Sequence, residues 1–359
     1  MSLNLSKLTL EHEDAYEDLL QGCSWAMLYH SLKYRQFLID FLPSDAEDHY
    51  LLAFDQSTLV GALPCFLIDG PFGPVLNSLP FFGSHGSILT KGESSPAISK
   101  FLIQGLTDLC LQRKVSFSTV IDTPFSNFEV PIKEKIKFQF RDYRIGQVTY
   151  LQQDEDPAKI EEKLLGSYHQ KTRNAVRKGL RSGLIFRNDQ NEKALDTLYL
   201  LHKENIQSMG GIPKPRSFFN VIDRQMKYNE DYRIYYAQSV SGEIVCALML
   251  LYFKDTVEYF VPATAKAWRS SQALSALIHL AMLDSVRERK ARIWNWGGTW
   301  PNQLGVKQFK SRWGTEDHPY NYYTSIFDQN INLSEVSPNS LLSGYPWFYT
   351  VPFSALEKK

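Results

Sequence analysis

The sequence predicts an α/β (α+β) chain built as two domains in tandem. Three observations carry this expectation. Apolar residues switch repeatedly between the period of strands and the period of helices. In both halves a hairpin is followed by a helix and then another strand. At 359 residues, 43% of them hydrophobic and 13% aromatic, the chain is long enough to bury two cores.

In the first half, helices are expected around Glu13–Leu20 and over Leu28–Phe41. Tyr50–Phe54 and Leu59–Ile68 read as a hairpin turning at Asp55-Gln56-Ser57-Thr58. A Gly/Pro-rich stretch from Gly70 to Gly92 holds apolar Leu79–Phe82 and the loop Gly83-Ser84-His85-Gly86-Ser87. A helix at Ala97–Arg113 and a strand at Ser118–Asp122 follow. The chain divides near residue 150. The second half reads as helices at Pro157–Leu165 and Ser167–Ser182, a strand at 184–187, and helices at 192–209 and 215–228. Strands at 232–239, 243–253 and Thr256–Ala263, a helix at Ser271–Arg289 and a strand at Arg292–Trp296 complete it. The expected domains are 1–149, completed by a 330–359 tail, and 150–329. The tail holds Pro338, Pro346 and Pro352, which preclude a long helix. Its Tyr345, Trp347, Phe348, Tyr349 and Phe353 are costly to leave in water, so it should pack across the first domain. An aromatic docking surface is the alternative.

Two segments carry the chemistry. Between Ser167, a candidate N-cap, and Ser182, residues Lys171, Arg173, Arg177, Lys178 and Arg181 fall on about half of a helix at ~100° per residue. No Asp or Glu is interleaved, as a merely solvated helix would have. The face is therefore a candidate anion site, with a solvated surface as the alternative. In the second segment, the strand end Trp294-Asn295-Trp296 runs into Gly297-Gly298, where the backbone can turn sharply. A helix from Leu304 to Trp313 should then bury Val306, Phe309 and Trp313 and bring Lys307 and Lys310 together one turn apart. Two cations beyond a strand–glycine turn stand where open α/β sheets bind ligands. A plain aromatic core corner is the alternative.

These motifs resemble those of the FemAB-like transferases, tandem proteins of the GNAT (acyl-CoA N-acyltransferase) superfamily that include peptidoglycan aminoacyltransferases and relatives described as BioF2-like acetyltransferases. The run Lys171-Thr172-Arg173-Asn174-Ala175-Val176-Arg177-Lys178 is similar to the family's basic signature. Leu198–Phe219 looks like its helix, Gly/Pro loop and aromatic pair, and Asn295–Gly314, with Phe309-Lys310 and Trp313-Gly314, looks like its ending. The resemblance covers roughly residues 150–320. It implies two GNAT-like domains, each a mixed central sheet flanked by helices, with the acceptor side in the first and catalysis in the second.

The implied activity is amide formation on an amino group of a cell-envelope precursor or polysaccharide amino sugar. Such a reaction needs a stabilised oxyanion and anchors for donor phosphates. Lys310 matches the family lysine near the reacting centre, and Lys307 is the neighbouring cation. The donor spot falls at Thr264–Leu274, where Ser270 and Ser271 offer hydroxyls but the superfamily's glycine-bearing phosphate loop is missing. The donor is then either acetyl-CoA or charged tRNA, a co-substrate rather than a tightly bound cofactor. Only Asn188–Asp231 is available for the long arm that some tRNA-using relatives carry, so that arm is absent. Glu258 and Tyr259 precede the donor spot on opposite strand faces; either is a candidate for proton transfer, or the two are an ordinary strand pair. His202 is a candidate general base or a core histidine. His85, in its glycine loop, is a candidate for the acceptor side.

Composition limits the rest. Thirty-nine basic and 39 acidic residues balance, so any anion affinity is local and DNA coating is excluded. Cys23, Cys65, Cys110 and Cys246 form no metal or disulfide pattern, so no metal is expected and the cytoplasm is the expected compartment. No leader or membrane-spanning segment is read. The contrasting reading is a non-catalytic module whose basic helix docks RNA or an acidic partner.

Overall fold

In the computed structural model, described for residues 2–80, 86–92, 94–125 and 138–356, the chain separates into two units. The first is Met1–Arg144 with Pro319–Lys359, and the second is Ile145–His318.

The first unit opens with β1 (Leu3–Lys7), α1 (Glu13–Gly22) and α2 (Leu32–Phe41). The helix expected over Leu28–Phe41 is split. Leu28–His30 forms a 3-10 turn, and Ser31 is extended and caps α2 by accepting the Tyr34 N–H. The strands β2 (Glu47–Asp48), β3 (Leu51–Asp55), β4 (Thr58–Leu63), β5 (Phe66–Ile68), β6 (Val75–Asn77) and β7 (Leu89–Thr90) follow, then α3 (Pro96–Gln112) and β8 (Phe117–Ile121). The second arm of the expected hairpin is broken at Pro64, which lacks an N–H for the ladder. Its two pieces join different sheets. β4 pairs with β3 and β7, whereas β5 pairs with β2 and β6. His85 and the rest of 81–85 lie outside the described residues.

Strand β9 (Phe140–Tyr150) leads into the second unit, whose helices are α4 (Pro157–Ser167), α5 (Gln170–Leu180), α6 (Glu192–Gln207) and α7 (Arg216–Gln225). Its remaining elements are β10 (Ile185–Arg187), β11 (Tyr232–Gln238), β12 (Ile244–Phe253), β13 (Thr256–Thr264), α8 (Ala273–Arg289), β14 (Ile293–Thr299) and α9 (Leu304–Ser311). The sheet order is β10-β11-β12-β13-β14-β9, antiparallel except for the parallel pair β13/β14. Strand β12 is buried at every residue but its last, which explains its unbroken apolar run. Helices α4, α5 and α8 supply Leu164, Val176, Leu277 and Met282 to one core with Trp294, Trp296 and Trp313. Within it Tyr168 meets Trp313 edge-on at 4.9 Å between ring centres, and Trp296 lies 5.6 Å from Trp313. Such pairs contribute about 0.5–1.5 kcal/mol beyond their buried area.

Ser167 does not cap the basic helix. It ends α4, donating to the Leu164 carbonyl at 2.8 Å, and His169 takes the N-cap by accepting the Lys171 N–H. Helix α8 starts later than expected, because Lys266–Ser271 winds as a 3-10 turn and Gln272 is left-handed. On α9, Val306 is 43% exposed and Leu304 70%, so the buried side is narrower than the apolar spacing implied.

Strand β15 (Glu316–Ile326) returns the chain to the first unit, where it pairs with β8. The tail, including α10 (Pro338–Gly344), buries Tyr345, Phe348 and Tyr349 there. Tyr345 Oη donates to the Gly73 carbonyl and accepts the Phe72 N–H, both at 2.7 Å. Tyr349 Oη donates to Asp142 at 2.7 Å. No helix among the described residues is long and apolar enough to cross a membrane.

Candidate active site

The site is set by where β13 and β14 part. They are in register at Thr256/Ile293, Val257/Trp294 and Glu258/Asn295, and there the pairing stops. Past this point each strand leans on its other neighbour. β13 follows β12 through a bulge at Phe260, with Tyr259 opposite Leu250 and Val261 opposite Met249. β14 rejoins β9 only at Gly298/Gly146, after an irregularity between Asn295 and Gly298.

At the last paired position Asn295 and Glu258 are both buried, and Asn295 Nδ2 donates to both carboxylate oxygens, at 3.2 and 2.9 Å. Asn295 Oδ1 accepts the Gly297 N–H at 2.9 Å. Gly297 sits at φ +70°, in the left-handed region, where a side chain would strain the turn. The turn aims carbonyls inward. Lys310 Nζ donates to Gly297 O at 3.2 Å, Gly298 O at 3.4 Å and Thr299 Oγ1 at 2.8 Å. Lys310 is 6% exposed, and burial pushes its ammonium down to about 8. Among the described residues no carboxylate pairs with it. Lys307, one turn earlier, pairs instead with Asp317 at 2.8 Å. The two cations singled out in the sequence are thus in opposite situations, one buried on carbonyls and one in a surface ion pair.

Helix α9 is held against the sheet from both sides of this turn. Trp296 Nε1 donates to Thr149 Oγ1 at 2.9 Å, and Thr149 donates to the Trp313 carbonyl at 3.2 Å. Tyr259, half-buried, lies 4.8 Å from the Trp296 ring. Burial raises its phenol, so it stays protonated. Phe309 meets Trp296 edge-on at 6.2 Å. Glu258 and Tyr259 therefore serve opposite faces of β13, the first toward Asn295 and the second toward the tryptophans.

The basic helix meets the start of α8. Gly179 makes this possible. A Cβ there would stand 2.4 Å from the Gln272 carbonyl oxygen and 2.9 Å from Ala276 Cβ. Beside this contact Arg177, Lys178 and Arg181 line an open depression of about 670 Å³ together with Asn174, Ser182, Ser270 and Ser271. Ser271 Oγ accepts the Ala273 N–H at 3.3 Å, while Ser270 is exposed. A smaller groove of about 280 Å³ lies along Pro262–Thr264 and Gln272–Ser275, with Phe309 in its wall. Arg269 at this groove donates to Asn205 Oδ1 at 2.9 Å.

The other candidates are separate from these two places. Arg173 turns away from the depression and donates to the Leu165 and Tyr168 carbonyls at the end of α4. Lys171 is exposed at the first turn of α5. His202 is buried on α6, where its Nε2 accepts the Lys214 N–H at 3.1 Å, and burial lowers it to about 4. Sequence reasoning passed over Asn295 and Thr299 as site residues, and over Lys214. The Lys214 ammonium lies 5.6 and 5.5 Å from the Phe218 and Phe260 ring centres and is pushed by burial down to about 8. Asn295 had a signal, its place two residues before Gly297 in the matched ending. The other two had none.

Residues 166–311 match the model of an acetyltransferase (GNAT) domain. No curated protein sequence matches the chain. Among solved structures, FemX shares the fold with a TM-score of 0.68 at 11% identity, over 89% of this chain and 96% of that one. A tandem GNAT protein from the clavulanic acid biosynthesis pathway gives 0.57 at 12%, over 92% and 100%. L-PGS from Bacillus licheniformis gives 0.53 at 13%, over 92% and 95%. The second unit therefore carries a match to a GNAT acetyltransferase domain, and the chain as a whole has the fold of tandem GNAT proteins.

Proposed function

We propose that the second unit transfers an acyl group from a phosphate-bearing donor to the amino group of a cell-envelope precursor or polysaccharide amino sugar in the cytoplasm. The observation that carries this reading is Lys310, a buried ammonium fixed on three oxygens at the turn where β13 and β14 have parted. Attack of an amine on an acyl carbonyl builds negative charge on one oxygen. A preorganised cation in a dry site stabilises that charge most in the transition state. The acyl carbonyl would lie beside Lys310. Tyr259, protonated and close to Trp296, is positioned to donate to the leaving group. Glu258 gives its carboxylate to Asn295, and His202 spends a ring nitrogen on the Lys214 N–H, so neither is favoured as the general base.

Donor phosphates suit the depression of Arg177, Lys178, Arg181, Ser270 and Ser271 at the start of α8, where a helix N-terminus adds positive potential. Arg173 and Lys307, committed to carbonyls and to Asp317, contribute less than Arg177. The adjoining groove along Thr264 and Ser275 is suited to the acyl-bearing arm. Of the two donors, acyl-CoA is favoured, because its extended arm matches that narrow groove and α6 and α7 are short helices with no long hairpin. The test is turnover. The protein is incubated with acetyl-CoA or alanyl-tRNA and D-glucosamine or a UDP-amino sugar, and amide products are sought by mass spectrometry. An amide with acetyl-CoA supports the reading. An amide only with alanyl-tRNA moves the donor to the aminoacyl branch. RNA binding with no product from any pair would sink it in favour of a docking module.

A further inference from the structure

We infer that Asn295 and Glu258 are positioning residues for Lys310, acting through the glycine turn between them; the inference rests on the catalytic reading of Lys310 given above. The chain of contacts is continuous. Glu258 accepts twice from the Asn295 amide, Asn295 Oδ1 holds the Gly297 N–H, and the carbonyls of Gly297 and Gly298 hold the Lys310 ammonium. Each member is constrained. Glu258 is 3% exposed and Asn295 is fully buried, so neither polar group has an aqueous alternative. Gly297 is left-handed, a conformation that an N–H anchor two residues back selects.

The neutral amide of Asn295 does both jobs at once. Its Nδ2 donates to a carboxylate while its Oδ1 accepts a backbone N–H. An aspartate keeps the acceptor but places a second carboxylate against Glu258. The turn would then be pulled from its anchor and the two carbonyls would leave Lys310. Exchanging the partner for glutamine restores a donor facing an acceptor. The pair is thus a reversible lock, testable by a variant and its rescue.

The primary measurement does not depend on activity. Acetic anhydride labelling of the folded full chain is followed by mass spectrometry, with the rate at Lys310 read against the exposed amine of Lys171. Circular dichroism confirms folding of every variant. Asn295→Asp should raise labelling at Lys310 by about tenfold, since the amine loses two of its three acceptors, and Asn295→Asp with Glu258→Gln should return it to within about twofold of native. In transfer from acetyl-CoA to D-glucosamine, Asn295→Asp should lower kcat by about 10- to 100-fold with KM changed by less than about threefold, and the double variant should recover it. Labelling within twofold of native in Asn295→Asp overturns the inference, as does a double variant no better than the single one. If the single variant does not fold, Glu258→Met, which removes both acceptors of the Asn295 amide, is labelled instead, and an unchanged Lys310 rate is again a refutation. Native kcat in Lys310→Met would remove the proposed function while leaving the labelling result to decide the lock.

Discussion

Lys310 Nζ lies 2.8 Å from Thr299 Oγ1, and both groups are buried. A lysine held this way has lost its water without gaining a counter-ion, so it is costly to the fold and available to an anion that forms nearby. Lys310→Met should lower kcat of acyl transfer by about 100-fold or more with little change in KM. Lys307→Met, which breaks the surface pair with Asp317, should cost little. Equal small effects of the two substitutions in steady-state assays would leave Lys310 as a structural charge.

The same burial sets a pH dependence. The folded value of Lys310, about 8, lies below the 10.5 of a free lysine. The unfolded chain therefore holds the proton more tightly, and burying charged Lys310 costs stability at neutral pH. That cost fades as pH rises from about 8 to 10.5. Lys310→Met should raise stability at pH 7 by on the order of 3 kcal/mol before lost hydrogen bonds are counted, and by less at pH 10. Melting curves at the two pH values check this. In catalysis the sign is opposite, because kcat should fall as pH climbs through about 8 and Lys310 discharges. The residual rate of Lys310→Met should lack that limb.

Arg173 and Arg177 stand one turn apart on α5 and should separate in kinetics. Arg177→Ala removes a cation lining the depression and should raise the donor KM by an amount worth about 1.5–3 kcal/mol, without lowering the melting temperature. Arg173→Ala leaves the Leu165 and Tyr168 carbonyls without their guanidinium. It should lower the melting temperature with donor KM nearly unchanged. The reverse pattern would exchange their roles.

Gly179→Ala tests the contact between α5 and α8. The new Cβ meets backbone at 2.4 Å, which cannot rotate away, so the helices must shift. A loss of about 1–3 kcal/mol in denaturant unfolding is expected, with a raised donor KM because Arg177 on α5 and Ser271 in the turn leading into α8 line the same depression. Native stability and native KM together would show that the helices are not held this closely.

Removal of the tail from Asn330 onward strips Tyr345, Phe348 and Tyr349 from the first unit. The truncated chain should aggregate or melt at lower temperature, as light scattering during a thermal ramp would show. A monomer of native stability would mean that these aromatics serve a partner instead.

The local elements and the residue types of the site follow from the amino-acid pattern alone. Helix α5 was legible because its four cations, with Arg181 at the C-cap, leave a clear period, and β12 because an unbroken apolar run leaves no other reading. The turn at Gly297-Gly298 and the lysine after it were legible as a motif. Strands β9 and β15 were not, because their interior positions include Gln147, Thr149, Asn321 and Thr324, polar residues that are buried by pairing and so erase the alternation of two. The tertiary structure decided which cation does what. Arg173 and Arg177, or Lys307 and Lys310, are equivalent in a helical projection, and only the carbonyls and carboxylates that surround them tell them apart. Glu258 and Asn295 are 37 positions apart in the chain, and their pairing exists because two parallel strands meet for three residues and then part. Register between distant strands is set by packing both faces of a sheet at once, a constraint that no local run of residues contains.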